Sequence, residues 1–340
     1  VVYLNRYPRA HVRIPGVAEA LSLGHDPEGY LILHDRRSGQ DYLRQVSDLR
    51  EHGLELALDG YGCHVFLGFE EVSDGGGAGW AELAQKLGLS GIPDAHVALR
   101  RMRDEPLREA VGAIFSTRIA QEAFLPELAA EPDTQAGADA ARAGLAVAFD
   151  RLASAAGAEG DTVSLAYDTD RLAARVRAVR PRLVAQALAG WALFSAIGDL
   201  ACADEPERTV VAFDDWDGAA AVGDLARRAG TGDAQAWRAS ELARALLFLP
   251  PGALVEAADA DDLPRTWFES AAVRDATGWN EWEGQAYLSA EAWDEFVDAL
   301  AEREMLLELT DAAGAASELR RRAAEAGYQL AATDEPPRRR

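Results

Sequence analysis

The sequence predicts an α+β protein, with a small antiparallel β unit at the N-terminus and a mainly α-helical bundle domain after it. Apolar residues alternate with period two along residues 54–72, which is typical of half-buried strands. After Val72 the apolar residues recur at helical spacing almost to the end of the chain. The segment 73–79, SDGGGAG, separates the two patterns, because three consecutive glycines are costly in a packed element.

The predicted domain boundaries follow from this change of pattern. At 340 residues the chain is longer than one hydrophobic core usually serves, so two domains are expected. The predicted parts are an antiparallel β region over residues 1–72 that preceding strands would complete, a glycine-rich linker over 73–79, an α-helical domain over 80–330 and a disordered tail over 331–340.

Four or five strands are expected in the β unit. Residues 1–4 and 30–34 fit strands, and residues 41–49 fit either a strand or a helical turn. The segment 54–72 is predicted to be a hairpin around Asp59-Gly60, a dipeptide typical of two-residue hairpin loops. Because the chain starts with valine inside a predicted strand, we expect a fragment of a longer polypeptide.

The helical domain is predicted from apolar stripes and from capping residues. Residues 80–87 form a first helix that ends before Gly88, and Asp94 is the N-cap of a second. Ser289 caps another helix with a strong apolar stripe. Further helices are predicted over residues 106–128, 138–155, 219–229, 233–249 and 312–326.

The longest apolar pattern begins at an N-cap, either Asp168 or Asp170, and continues to Ile197. Pro181 lies inside this pattern. Because proline removes a backbone hydrogen bond and clashes with the preceding turn, we expect a kink there. This helix is the candidate for the centre of the bundle.

Composition excludes several classes of partner. The formal net charge of −23 disfavours nucleic acid, because such binding depends on cationic side chains that neutralise phosphate. The two cysteines, Cys63 and Cys202, make neither a disulfide framework nor a zinc site, so a reducing, cytoplasmic location is expected. No apolar run is long enough to span a bilayer, and no membrane partner is expected. On its predicted strand Cys63 lies on the apolar face.

No complete catalytic or metal-binding motif is found. The acidic stretch Asp214-Asp215-Trp216-Asp217-Gly218 fails the calcium-loop template, because Phe213 would occupy its first ligand position. Cys63 and His64 would point to opposite faces of a strand and so cannot form a dyad with each other. We therefore expect no catalytic residue, no metal site and no cofactor in this chain.

Three segments carry a family resemblance. The first comprises Asp35-x-x-Ser38-Gly39-x-x-Tyr42-Leu43-Arg44, then Gly53-Leu54, then Tyr61-x-Cys63-His64-Val65-Phe66-Leu67. It resembles the end of the β-rich region that follows the catalytic barrel in large bacterial proteins of the α-amylase superfamily, glycoside hydrolase family 13. Residues 1–10 resemble an earlier strand of the same region, and residues 279–300 are also similar to those proteins.

The resemblance implies a non-catalytic C-terminal accessory region of a glycoside hydrolase that acts on α-glucosidic linkages. Its main partner would be the catalytic barrel of the same polypeptide, which would supply an Asp nucleophile and a Glu acid/base. Such a barrel needs about 250 residues of alternating strand and helix, a pattern that this chain does not have. Asp35 follows His34 in a predicted strand beyond the barrel, and no catalytic residue is carried over from the family.

Trp279 and Trp282 are the candidate carbohydrate contacts. Aromatic faces stack on the apolar faces of sugar rings, and Asn280 and Glu281 between them would suit hydroxyl groups. The alternative, which we rank above sugar contact, is that the tryptophans of this region anchor helix packing. Two rival functions thus stay open beside the accessory region: a helical scaffold or interaction protein, and a carbohydrate-binding module for α-glucan.

Overall fold

The computed structural model describes residues 16–24, 26, 28–57, 62–125, 134–202, 205–260, 262–309 and 311–330. The chain divides into two compact units, Val1–Asp104 and Glu105–Arg340. The first unit contains a three-stranded antiparallel sheet and the second is mainly helical. The predicted α+β fold class is confirmed. The strand predicted for residues 1–4 and the tail predicted for 331–340 lie outside the described residues.

The first unit is a sheet with helices on both faces. In chain order its elements are α1 (Val17–Ala20), β1 (Gly29–Asp35), β2 (Gln40–Gln45), α2 (Val46–Glu51), β3 (Phe66–Ser73), α3 (Trp80–Leu87) and α4 (Ala95–Arg103). The strand order is β2-β1-β3, and β1 is antiparallel to both neighbours. In this register Leu33 of β1 lies opposite Tyr42 on one side and Phe69 on the other.

Alternation along the central strand explains why both faces of the sheet are covered. Leu31 and Leu33 contribute to one apolar cluster, which includes residues of α1 and α2. Ile32, between them, points to the other face and joins a cluster that contains Trp80 of α3 and Leu99 of α4. A strand buried on both faces is apolar at nearly every position, as the sequence GYLILHD shows.

The boundary between the two units lies after α4 and not at the glycine-rich segment 73–79. The reason is that α3 and α4 place their apolar residues on the sheet, so they belong with the strands. Asp94 caps α4 as predicted, since its side chain accepts a hydrogen bond from the Val97 amide. Gly88 follows α3 with a positive φ of 54°, which also agrees with the predicted C-terminus of that helix.

The hairpin predicted for residues 54–72 is wrong. Residues 54–57 lie outside the strands, and β3 pairs with β1 instead. The predicted turn at Asp59-Gly60 lies outside the described residues. Leu54 is partly buried against the first apolar cluster, so its apolar character serves packing without strand pairing.

The second unit is a helical bundle with one small hairpin. Its helices are α5 (Glu105–Phe115), α6 (Arg118–Phe124), α7 (Gln135–Ala156), α8 (Thr162–Val176), α9 (Arg182–Ala201), α10 (Pro206–Asp215), α11 (Gly218–Arg228), α12 (Asp233–Phe248), α13 (Ala253–Asp259), a 3₁₀ helix (Arg265–Glu269), α14 (Ala271–Thr277), α15 (Ala290–Leu306) and α16 (Ala312–Glu325). Strands β4 (Asn280–Trp282) and β5 (Gln285–Tyr287) form the hairpin. Ser289 caps α15 as predicted, and its hydroxyl accepts from the Ala292 amide.

Helix α9 lies at the centre of the bundle. Among the described helices it is the one with the length and apolarity of a membrane span, which differs from the expectation that no apolar run is long enough. Its apolar window is 83% buried inside the protein, as is usual for a core helix.

The single kinked helix predicted across Pro181 is wrong. Pro181 instead separates α8 from α9 and occupies the N-cap of α9, while Asp161 caps α8.

Candidate functional site

Three residues of the resembling segment, Ser38, His64 and Val65, meet around the carboxylate of Asp35, the last residue of β1. Its Oδ1 accepts hydrogen bonds from the backbone amides of Arg37 (3.1 Å) and Val65 (3.0 Å). Its Oδ2 accepts from the Ser38 hydroxyl (2.8 Å) and lies 2.8 Å from Nδ1 of His64. We call these five residues the Asp35 cluster. It joins the turn after β1 to the segment that leads into β3.

Aromatic contacts extend the cluster across the sheet. The ring of Tyr42 on β2 meets the edge of His64 at a centroid distance of 5.0 Å and that of Phe66 at 5.7 Å. The rings of His64 and Phe66 stack at 5.5 Å. The second ring nitrogen of His64 lies 3.3 Å from the carbonyl oxygen of Ala57. His64 is therefore fixed by contacts on every side of its ring except a small exposed part.

Arg44, another residue of the resembling motif, is buried on β2 and binds backbone carbonyls. It donates to the carbonyl oxygens of Leu43 (2.8 Å), Gly88 (3.1 Å) and Leu89 (3.2 Å). Its guanidinium also lies 5.8 Å from the centroid of the Tyr42 ring. These bonds tie β2 to the segment after α3. Burial lowers the pKa of Arg44.

The electrostatics of the cluster favour an anchor over a catalyst. The hydrogen bond from His64 is the main cause that holds the pKa of Asp35 far below its usual range, with the Val65 amide as the next cause. The same bond raises the pKa of His64. A carboxylate has about four acceptor positions, and the cluster fills all of them. Asp35 therefore stays ionised below its ordinary pKa and has no free acceptor position for a substrate proton.

The structure places Cys63 away from the core. The thiol is exposed and accepts a hydrogen bond from the guanidinium of Arg37. The predicted position on the apolar face of a strand is wrong, because β3 begins only at Phe66 and the alternation does not extend back to residue 63. Within the described part of the chain, no group of three or more His, Cys, Asp or Glu side chains is placed to hold a metal ion.

A cleft of about 630 Å³ lies beside Arg44, between β2, α2 and α3. Its volume is within the range of small-molecule sites. Gln45, Asp48, His52 and Gln85 line it, together with apolar groups. Arg44 contributes to its wall, but its donors are already bound to the carbonyls described above. The cleft thus has polar walls, in which the carboxylates of Asp48 and Glu55 are the acidic groups.

The two tryptophans predicted to contact sugar have different surroundings. Trp282 ends β4 next to the hairpin turn and is 68% exposed. Trp279 precedes β4, is partly buried against the bundle core, and has the guanidinium of Arg274 5.4 Å from its ring centroid. One face of Trp279 is therefore occupied by a cation, while Trp282 is accessible. The neighbouring Trp267 and Trp293 are buried and pack in the core.

Sequence reasoning missed two features of these sites. Trp237 on α12 is 62% exposed, although it was not among the candidate residues. The role of Asp35 was missed as well, because its partners His64 and Val65 are 29 and 30 residues away in the sequence. Comparisons with protein-family models, with curated proteins and with solved structures gave no match.

Proposed function

We propose that this chain is the non-catalytic C-terminal accessory region of an α-amylase-family glycoside hydrolase. The catalytic barrel would be the upstream part of the same polypeptide, acting on α-glucosidic linkages. One observation carries the proposal: three polar residues of the resembling segment 35–67 form their hydrogen bonds within the first unit. The polar groups of Asp35, His64 and Arg44 form hydrogen bonds with other groups of this chain.

This use of polar residues fits an accessory region and not an active site. A catalytic acid or base must reach the reacting atoms and exchange a proton near the working pH. Asp35 does neither, because it is buried and its pKa is held low by four donors. The cluster instead holds the turn after β1 and the segment before β3 in fixed positions relative to each other. A rigid β unit of this kind can buttress a neighbouring domain or present a surface to it.

The DNA upstream of the codon for Val1 tests the proposal. We expect it to encode, in the same reading frame, an α/β barrel with the Asp and Glu motifs of the family. A start codon close to Val1, or an upstream domain with a different catalytic fold, would contradict the proposal.

A carbohydrate contact in the second unit is a second candidate, because of the exposure of Trp282. The exposed indole ring of Trp282 offers an apolar face of the kind that stacks on a sugar ring. The hairpin formed by β4 and β5 holds the ring at its end, and a stretch of α-glucan offers an apolar sugar face of matching size. Trp279 fits a sugar contact less well than Trp282, because the guanidinium of Arg274 covers one face of its ring.

A further inference from the structure

The cleft beside Arg44 is formed by three elements of the first unit. Its floor is the face of the sheet on which Tyr30 of β1 pairs with Gln45 of β2. The first wall is α2, where Asp48 and His52 lie one turn apart on the same side of the helix. The second wall is α3, which presents residues with small or no side chains, namely Ala81, Ala84 and Gly88. These short residues leave room for a ligand between the two helices.

The hydroxyl group of Tyr30 is a buried polar group at the floor of this cleft. Tyr30 is 7% exposed, and within the described ranges no other group of the chain forms a hydrogen bond with its hydroxyl. Burial, followed by the charges of Asp74 and Asp48, raises the pKa of this phenol. Most buried polar groups in proteins have a hydrogen-bond partner, because leaving one without a partner is costly. The hydroxyl of Tyr30 is therefore available to a molecule that enters the cleft.

The charges around the cleft favour a cation. The carboxylates of Asp48 and Glu55 line it, and neither forms a hydrogen bond or an ion pair with the part of the chain that the structure describes. Arg44 lies close enough to Glu55 to offset part of its charge, but the guanidinium nitrogens of Arg44 are bound to backbone carbonyls. Asp48 thus lacks a cationic partner. A partly enclosed space concentrates such a negative potential and attracts positive ligands.

We propose that this cleft binds a small organic cation in which an ammonium group is attached to a short apolar stem. The ammonium group would donate hydrogen bonds to the Asp48 carboxylate and to the hydroxyl oxygen of Tyr30. The stem would contact Leu43 and Leu49, which are buried and line the same space. A metal ion is a poorer match, because no group of three or more His, Cys, Asp or Glu among the described residues is placed to hold one.

Titration of the purified chain with n-pentylammonium, followed by two-dimensional amide NMR, tests this inference. 1-Pentanol and pentanoate are the comparators, because they keep the stem and replace the ammonium group with a hydroxyl or a carboxylate. For a ligand of this size we expect a dissociation constant on the order of a millimolar for n-pentylammonium. The two comparators should bind at least about tenfold more weakly, because they cannot form the charge-assisted hydrogen bond to the carboxylate. The side-chain amides of Gln45 and Gln85 should report the binding.

Two variants remove the proposed ligand contacts one at a time. Asp48→Asn should weaken binding of n-pentylammonium about tenfold and leave binding of 1-pentanol unchanged. Tyr30→Phe should weaken it about threefold and stay folded, because the hydroxyl that it removes has no partner in the fold. Glu51→Gln is the matched control, because Glu51 is an exposed carboxylate on α2 that does not line the cleft. It should leave the affinity unchanged.

Three results would overturn the inference. The first is equal affinity for n-pentylammonium and either comparator. The second is an equal loss in Asp48→Asn and Glu51→Gln, which would show that the net charge of −23 attracts the cation without a site. The third is tighter binding of maltose than of n-pentylammonium at the same amides, which would identify a sugar site. The measurement uses the chain without any upstream polypeptide, so its outcome is independent of whether a catalytic barrel is encoded there.

Discussion

Asp35 illustrates how one carboxylate can fix two connections of a sheet. Ser38 and the amide of Arg37 are local donors in the turn after β1, whereas His64 and the amide of Val65 come from the segment before β3. Charge-assisted hydrogen bonds of this kind are stronger than neutral ones. The contribution of the pair formed by Asp35 and His64 therefore depends on pH.

We expect His64→Gln to destabilise the first unit in a pH-dependent way. The pKa of His64 is raised in the folded state, so its contribution is present below about pH 6.5 and is lost as the pH rises through the raised value. The pKa of Asp35 is lowered, so its contribution is present above about pH 4 and is lost only as the pH falls through the lowered value. The stability difference between wild type and variant should be largest between these limits.

Urea unfolding followed by circular dichroism from pH 5 to pH 9 measures this difference. His52→Gln is the control, because His52 lies on the surface of the same unit at the end of α2. The difference in the free energy of unfolding between wild type and this control variant should be the same at every pH from 5 to 9. A His64→Gln difference that is constant from pH 5 to pH 9 would show that the ion pair does not form.

Trp282→Ala should weaken binding of maltodextrin by about tenfold, which corresponds to about 1.4 kcal/mol of lost contact. The physical reason is the loss of the one aromatic face at the hairpin that is open to solvent. Isothermal titration calorimetry provides the measurement. Trp237→Ala removes an equally exposed tryptophan from α12 and should not change the affinity. Equal losses in the two variants, or no heat with wild type at millimolar sugar, would rule out a sugar contact at Trp282.

At the scale of the elements, the buried pair Arg303 and Glu304 connects α15 to the chain between α12 and α13. Arg303 donates to the carbonyl oxygens of Leu246 (2.7 Å), Leu249 (2.7 Å) and Pro250 (2.8 Å). It also donates to Glu304 (2.7 Å). The C-terminal end of a helix has carbonyls without intrahelical partners, and Arg303 satisfies those at the end of α12. In this way a charged side chain is accommodated in the bundle core.

Arg303→Met should lower the free energy of unfolding of the bundle by about 3 to 5 kcal/mol, because it leaves a buried carboxylate and three carbonyls without their partner. Urea unfolding at neutral pH provides the measurement. The double variant Arg303→Met with Glu304→Gln should regain part of the loss, since no uncompensated charge remains. Arg321→Met is the control, because its ion pairs are exposed and their removal should change little. A loss no larger for Arg303→Met than for this control would contradict the role of the pair.

The sequence predicts an element well when the contacts that form it join residues close together in the chain. The caps Asp94 and Ser289 act within one turn, and both helices begin where the sequence indicates. The helix predicted over residues 106–128 is instead two, α5 and α6, because the Thr117 side chain caps a new helix. The pairing of β3 with β1 could not be predicted, because the two strands are separated by more than thirty residues and a turn signal describes only neighbours in sequence.

The same distinction applies to the candidate site. The motif around Asp35 could be recognised as a pattern, but its geometry depends on contacts between positions far apart in the chain. Exposure of a side chain depends on what covers it after folding. The sequence could therefore select Trp279 and Trp282 together, but it could not distinguish the half-buried ring from the open one.

At the scale of the whole molecule, the architecture differs from that of a catalytic barrel. A catalytic (β/α)₈ barrel, which the proposed function assigns to the upstream polypeptide, has eight parallel strands that alternate with helices. The strands in the described residues are antiparallel, and they form a three-stranded sheet and one short hairpin. Each unit has its own apolar core. In the proposed function these two units are the accessory domains, and the catalytic barrel belongs to the upstream part of the polypeptide.

The most direct test of that division is an activity measurement on two purified proteins at equal molar concentration. One is the product of the complete open reading frame, and the other is the chain of residues 1–340. With a chromogenic α-glucoside or a maltooligosaccharide as substrate, we expect turnover by the complete product and none by the chain alone. Turnover by the chain alone at an enzymatic rate would contradict the account, because its reactive carboxylates would then lie within these residues.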